Sequence, residues 1–301
     1  MKTLLPVLVL TLLAVCHAPA QVVSVEVILD KDQFLPNESV PVKVRITNLS
    51  GQTLHLGADP DWLTFDVEAD NFLVVQNAQV PVTGAFDLPS TQMATKRVDL
   101  YPYFDMSKPG RYHIVATVHI KDWSAKVVSP STGFDVITGA KLWSQDFGVP
   151  MPPDMSNQPP EVRKYTVEQA NYMNAQPELY VMVSDASLSQ VFKVTPIGPM
   201  ISFSHPEMQL DRFSNLHVIW QDGAKSFDYT VVDPTGAVIE QSTYDYFNTR
   251  PRLGMDDRGN IVVVGGVLEP NAGVLPIVMT PDELSFTTAT NAVTASNHGG
   301  N

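Results

Sequence analysis

Histidines, a run of acids and a set of aromatics are the side chains with which this 301-residue chain could do chemistry. His113 and His119 are the obvious candidates for a metal pair. They fall six positions apart in an alternating segment, and a strand advances about 3.4 Å per residue, so roughly 20 Å separates them and one ion cannot hold both. They share a face with Val115 and Thr117, opposite Tyr112, Ile114, Ala116, Val118 and Ile120, and are read as surface or rim histidines. Asp59, Asp61, Asp66, Glu68 and Asp70 form an acidic stretch without the ligand spacing or central glycine of a calcium loop. Alternation accounts for it better, with Leu63, Phe65 and Val67 buried while Asp66 and Glu68 face water. Asp211 and Asp256 could be paired carboxylates of the kind glycosidases use. They occupy equivalent places in an internal repeat, however, where an aspartate before a turn binds the turn's own amides.

Trp62, Trp123, Trp143, Trp220, Tyr244, Tyr246 and Phe247 would suit sugar stacking or a protein interface if several were exposed together. The tryptophans are read as core. The stretch Tyr244-Asp245-Tyr246-Phe247-Asn248, between two expected strands, is the best exposed aromatic patch. A nucleophile elbow, a phosphate loop, a His-Glu-x-x-His helix and a zinc-type cysteine pair are all absent from the sequence. No catalytic, cofactor-binding or metal-ligating residue is therefore assigned from sequence, and no cofactor is expected.

The elements that would position these residues begin after an address segment. Met1-Lys2-Thr3 leads into the apolar run Leu4 to Val15 and then Ala18-Pro19-Ala20, the pattern of a signal peptide over 1–20 with a mature start at Gln21. The run is about a dozen residues, against roughly 20 for a membrane-spanning helix. Cys16 is the only cysteine, so the mature chain is expected to lack disulfides, which suits bacterial export to the periplasm or outside the cell. The formal net charge is −13 and no Lys/Arg cluster interrupts it, which excludes binding to phosphate backbones.

The 24 prolines fall between short Val/Ile/Thr/Phe-rich runs, which is how an all-β chain reads. Val42, Val44 and Ile46 alternate with Lys43, Arg45 and Thr47, a strand with one buried face. Further short strands are expected at 22–29, 53–56, 63–68, 80–87, 95–99, 111–120 and 134–137, enough for an immunoglobulin-like β-sandwich over 22–140. Five prolines between Pro150 and Pro160 mark a linker over 141–160. Thr166-Val167-Glu168-Gln169 has capping-box spacing and predicts a helix over Glu161–Asn174. Within 161–280, Pro206 to Val218 recurs 45 residues later as Pro251 to Val263, and a period of that length is a propeller blade's. About two blades fit, fewer than a closed propeller needs. Two blades leave strand edges to cover, the run Ile261-Val262-Val263-Val264 among them. Residues 281–301 read as a disordered tail.

Phe34 to Val42, Ile46 to Gly51 and Lys108 to Tyr112 resemble strand ends and turns of bacterial immunoglobulin-like sandwich domains of macroglobulin type or proteinase-inhibitor type. Asp256 to Val263 resembles the hairpins of extracellular bacterial β-propellers. These resemblances imply folds and carry no activity across. The expectation is a non-catalytic binding or structural interaction module, secreted or periplasmic, with a protein or glycan partner; the alternatives are a glycan-active enzyme with a propeller-like site and a secreted proteinase inhibitor.

Overall fold

The computed structural model describes residues 22–150, 161–173, 175–270 and 283–289. The expected signal peptide lies outside them. Strand makes up 55% of the fold, and its larger sheets lie in a propeller-like arrangement. Among the described residues helical structure is confined to short turns such as the 3₁₀ turn Lys121–Trp123.

In the first half two sheets face one another across a single core. One has the order β1 (Val23–Leu29), β3 (Pro41–Asn48), β7 (Gln92–Asp99), β22 (Leu284–Thr288); the other runs β2 (Gln33–Phe34), β10 (Thr132–Val136), β8 (Gly110–Ile120), β5 (Leu63–Ala69), with β9 (Ala125–Val128) also on β8. A small sheet pairs β4 (Leu54–Leu56) with β6 (Phe86–Leu88). Alternation fixes which side chains point inward. Val42, Val44 and Ile46 are wholly buried, as are Tyr112, Ile114, Ala116, Val118 and Ile120 on β8, each large apolar side chain contributing about 1.5–3 kcal/mol on burial. The rings of Tyr112 and Phe134 stack at 5.3 Å, and Phe34 meets Phe134 edge-on at 5.4 Å.

The second half is built of antiparallel meanders. β11 (Ala140–Gly148), β12 (Val162–Ala170), β13 (Glu178–Asp185) and β14 (Val191–Pro199) form one sheet in chain order; β15 (Glu207–Leu210), β16 (Leu216–Gln221), β17 (Ser226–Val232) and β18 (Val238–Asp245) form the next, with β21 (Val267–Leu268) added on β18. The hairpin of β19 (Arg252–Met255) and β20 (Ile261–Val264) then begins a third such unit. The units stack in layers. Phe147, Tyr165 and Val181 of the first share a core with Leu216, Val218 and Trp220 of the second. Ile219, Phe227 and Tyr229, on the opposite face of the second sheet, are covered by Leu253 and Val263 of the hairpin. Sheets covered on both faces have little need of polar residues, so Leu179, Tyr180 and Val181 are buried in succession, as are Leu216 through Trp220.

Four expectations are corrected. Glu161–Asn174 is not a helix: 162–170 is the strand β12, laddered on one side to β11 and on the other to β13. A side-chain cap contributes about 1 kcal/mol, too little against two full ladders in a segment rich in β-branched and aromatic residues. The first part of the expected linker, 141–148, is likewise strand, because Ala140–Gly148 forms β11; its proline-rich part from 151 to 160 lies outside the described residues. Part of the expected disordered tail, 284–288, pairs with β7. Of the strand expected over 80–87, only its end is realised, as β6. The run 261–264 is paired with β19 on one edge, and Val263 packs on the neighbouring sheet with one face; among the described residues its other edge carries no ladder.

Candidate functional site between the two halves

The two halves meet where the turn after β1 and the strand β2 lie against β12, β13 and β14. Leu35 shares a small core with Ala170, Tyr180 and Val194. Beside it, Lys31 reaches across: its Nζ lies 2.5 Å from Glu38 Oε1 and donates to the Tyr180 hydroxyl at 2.8 Å. The same ammonium is 4.8 Å from the ring centroid of Phe34, 5.3 Å from Tyr180 and 5.7 Å from Tyr172, a cage in which cation–π attraction adds to the ion pair.

The network continues without a break. Tyr180 donates to Glu178 Oε2 at 2.9 Å, Tyr172 lies 3.3 Å from the same oxygen, and the two phenols are hydrogen-bonded to each other. Glu38 Oε2 accepts the amide of Leu35 at 2.8 Å. Burial raises the Glu38 carboxyl above its ordinary value, against the pull of Lys31. Burial also pushes both phenols well above the usual range, helped at Tyr180 by the charges of Glu38 and Glu178. The phenols therefore stay protonated and act as donors.

Two cavities flank this bridge. One of about 510 Å³ lies between the 30–33 turn with Asp135 and the segment running from Tyr172 to Glu178. The other, about 350 Å³, opens on Phe34, Glu38 and Lys193. Each polar group of the bridge is already engaged by another. The arrangement can clamp the halves and present a walled cleft, while the larger cavity's rim offers carboxylates, the amides of Gln33 and Gln176 and the ring of Tyr172.

The candidates from sequence lie elsewhere. His113 is 2.9 Å from Asp70 and His119 is 3.8 Å from Asp61, both on the outer face of β8. Asp59 pairs with Lys121 at 2.9 Å, and with Asp61, Trp62, His119 and Lys126 it lines a third cavity of about 420 Å³. Among the described residues no three acids, histidines or cysteines are grouped so as to hold a metal ion. Asp211 and Asp256 each close the turn of their own hairpin. Asp211 Oδ1 accepts the amides of Phe213 and Asn215, and Asp256 Oδ1 those of Arg258 and Asn260, all at 2.8 Å. Asp211 also approaches His217 Nε2 at 3.4 Å, while His217 Nδ1 is 2.7 Å from the Tyr229 hydroxyl. Both rings are buried.

Trp62 and Trp220 are buried, each donating its indole N–H to a carbonyl, of Val82 and Pro199 respectively. Trp123 and Trp143 are half-buried. Tyr244 is partly buried against the core of the second sheet, meeting Tyr229 edge-on at 6.4 Å, so the patch expected at 244–248 is reduced to Tyr246 and Phe247, the latter 72% exposed. Lys31, Glu38, Tyr172, Glu178 and Tyr180 carried no motif. The one available signal was Tyr180 inside the apolar run Leu179-Tyr180-Val181, since a buried phenol requires a partner.

No family model matches the chain, and no curated protein matches it. Among solved structures it is similar to the sporulation control protein Spo0M of Bacillus subtilis, at 12% identity and a TM-score of 0.29, over 66% of this chain and 79% of that one. A likeness of that size leaves the site to be argued from its own geometry.

Proposed function

We propose that this protein is an exported, non-catalytic binding module whose ligand, a glycan, enters the cleft between its two halves. The observation that carries the reading is the cavity of about 510 Å³ walled by both halves. Ligand sites favour such junctions, with a few polar groups fixing orientation. Carboxylates and amides suit the hydroxyls of a sugar, and the Tyr172 ring supplies a stacking face. The engagement of Lys31, Glu38 and both phenols with one another favours binding over catalysis. The first half is taken as immunoglobulin-like because the Tyr112 hydroxyl donates to the carbonyl of Lys108, four residues upstream, at 2.7 Å, which is how a tyrosine corner is built. Export rests on the segment 1–20.

A glycan array probed with the purified chain, followed by calorimetry on any oligosaccharide retained, tests this. The substitution Ala175→Trp fills the cavity without touching the bridge and is expected to weaken binding at least tenfold. Retention of no glycan, or undiminished binding by the filled variant, overturns the reading; release of shortened sugars would replace it with the glycan-hydrolysing alternative.

A further inference from the structure

The sheet β1-β3-β7 is completed by a strand from the far end of the chain. β22 lies antiparallel to β7 with Leu284 opposite Lys96 and Thr288 opposite Gln92. The ladder runs one residue further at each end: Arg97 donates its amide to the carbonyl of Glu283 at 3.1 Å, and Ala289 donates to Thr91 at 3.0 Å. Directly hydrogen-bonded pairs alternate along an antiparallel ladder, so these two bonds place the intervening ones at Ser285 with Thr95 and at Thr287 with Met93. The amides of Ser285 and Thr287 therefore face β7.

Side chains add little to this strand. Leu284 is half-buried against the core, the other four residues are exposed, and Phe286 meets Phe86 edge-on at 5.8 Å while 48% exposed. β22 is thus held chiefly by main-chain hydrogen bonds, each contributing about 0.5–1.5 kcal/mol net. Main-chain bonding of this kind is how an exposed sheet edge takes up an added strand. The segment carries no charge between Leu284 and Thr288, and the acid before it, Glu283, stands opposite Arg97. The 15 residues from Glu269 to Glu283 can span up to roughly 50 Å when extended, a length sufficient to carry β22 to the β7 of a second copy.

We propose that the outer edge of β7 is a strand-docking site and that β22 is an exchangeable occupant, the segment 283–289 of one copy pairing with β7 of another. Two experiments on the full chain test it. In the first, Thr287→Pro removes an amide that faces β7 and vacates the edge. A fluorescent peptide of sequence 283–289 is expected to bind this variant at least tenfold more tightly than the wild-type chain, whose edge is filled. In the second, Cys16→Ser is combined with Ala94→Cys and Phe286→Cys, which stand opposite one another across the ladder. Oxidation should give disulfide-linked monomers in dilute solution and a rising share of linked dimers as concentration increases. Linked monomers at every concentration, or a folded Thr287→Pro chain that binds the peptide no better than wild type, overturns the proposal; the cysteine pair decides alone if the proline variant does not fold.

Discussion

Lys31 and Tyr180, 149 positions apart in the chain, meet at 2.8 Å where the two halves are in contact. The lysine is anchored from its own side by Glu38, which is nearly inaccessible to solvent. A charge buried in this way is tolerable only while its partner remains.

The first prediction follows from that pairing. Lys31→Met is expected to cost about 2 kcal/mol at neutral pH, below the 3–5 kcal/mol of a fully buried pair because the lysine is a third exposed. Without the ammonium the Glu38 carboxyl rises further, so the folded state takes up a proton that the unfolded state does not. The penalty should therefore shrink as pH falls towards 5 and grow towards 8. Thermal melts of both proteins across that range check it, and a pH-independent difference would show that Glu38 does not respond.

A second prediction concerns Asp228, whose carboxyl burial raises to about 6, with Asp222 and Glu269 adding to the rise and the Thr243 hydroxyl opposing it. A folded-state value above the unfolded one means that the contribution of Asp228 to stability is fully present below pH 4 and is lost as pH rises to about 6. Asp228→Asn keeps the acceptor for Thr243 and removes the charge. It should melt above wild type at pH 7 and alongside it at pH 4, which calorimetry at the two values would establish.

The repeated turns supply the third. Asp211 and Asp256 bind the same two backbone amides and the same asparagine side chain in equivalent hairpins. At both, these hydrogen bonds hold the carboxyl below its ordinary value, at Asp211 against partial burial. Asp211→Ala should cost about 2 kcal/mol, since it also strips His217 of its acidic neighbour. Asp256→Ala, in a peripheral turn, should cost less. Urea denaturation ranks the two, and equal losses would refute the assignment of extra weight to His217.

A fourth turns on Gly57, which has φ +80°, and where an added Cβ would stand 2.1 Å from the carbonyl oxygen of Gly84. A main-chain atom cannot be displaced as a flexible side chain can, and the left-handed conformation penalises any other residue. Gly57→Ala should lower stability by more than about 2 kcal/mol, whereas Gly51→Ala, equally left-handed at φ +79° but with nothing near its Cβ, should cost about 1 kcal/mol. Paired melting curves test the contrast.

Local pattern by itself determined much of the first half. Val42, Val44 and Ile46 alternate with polar neighbours because one face of β3 meets a core and the other water, and a two-residue period records that directly. The turn aspartates were legible for a similar reason, since Asp211 and Asp256 bind amides two and four residues on, within reach of local sequence. The second half was less legible. β12, β13 and β16 are covered on both faces, and burial on both sides erases the alternation, which left a capping-box spacing at Thr166 to suggest a helix that two neighbouring ladders overrule. Only the tertiary structure decided the candidate site and the pairing of β22. Lys31, Glu38 and Tyr180 acquire their roles from a contact between segments about 150 residues apart, and β22 from a ladder to β7 nearly 200 residues away. Neither separation leaves a periodic trace, because hydrogen bonds and ion pairs across a fold depend on proximity in space, which the order of residues encodes only through the packing of the whole chain.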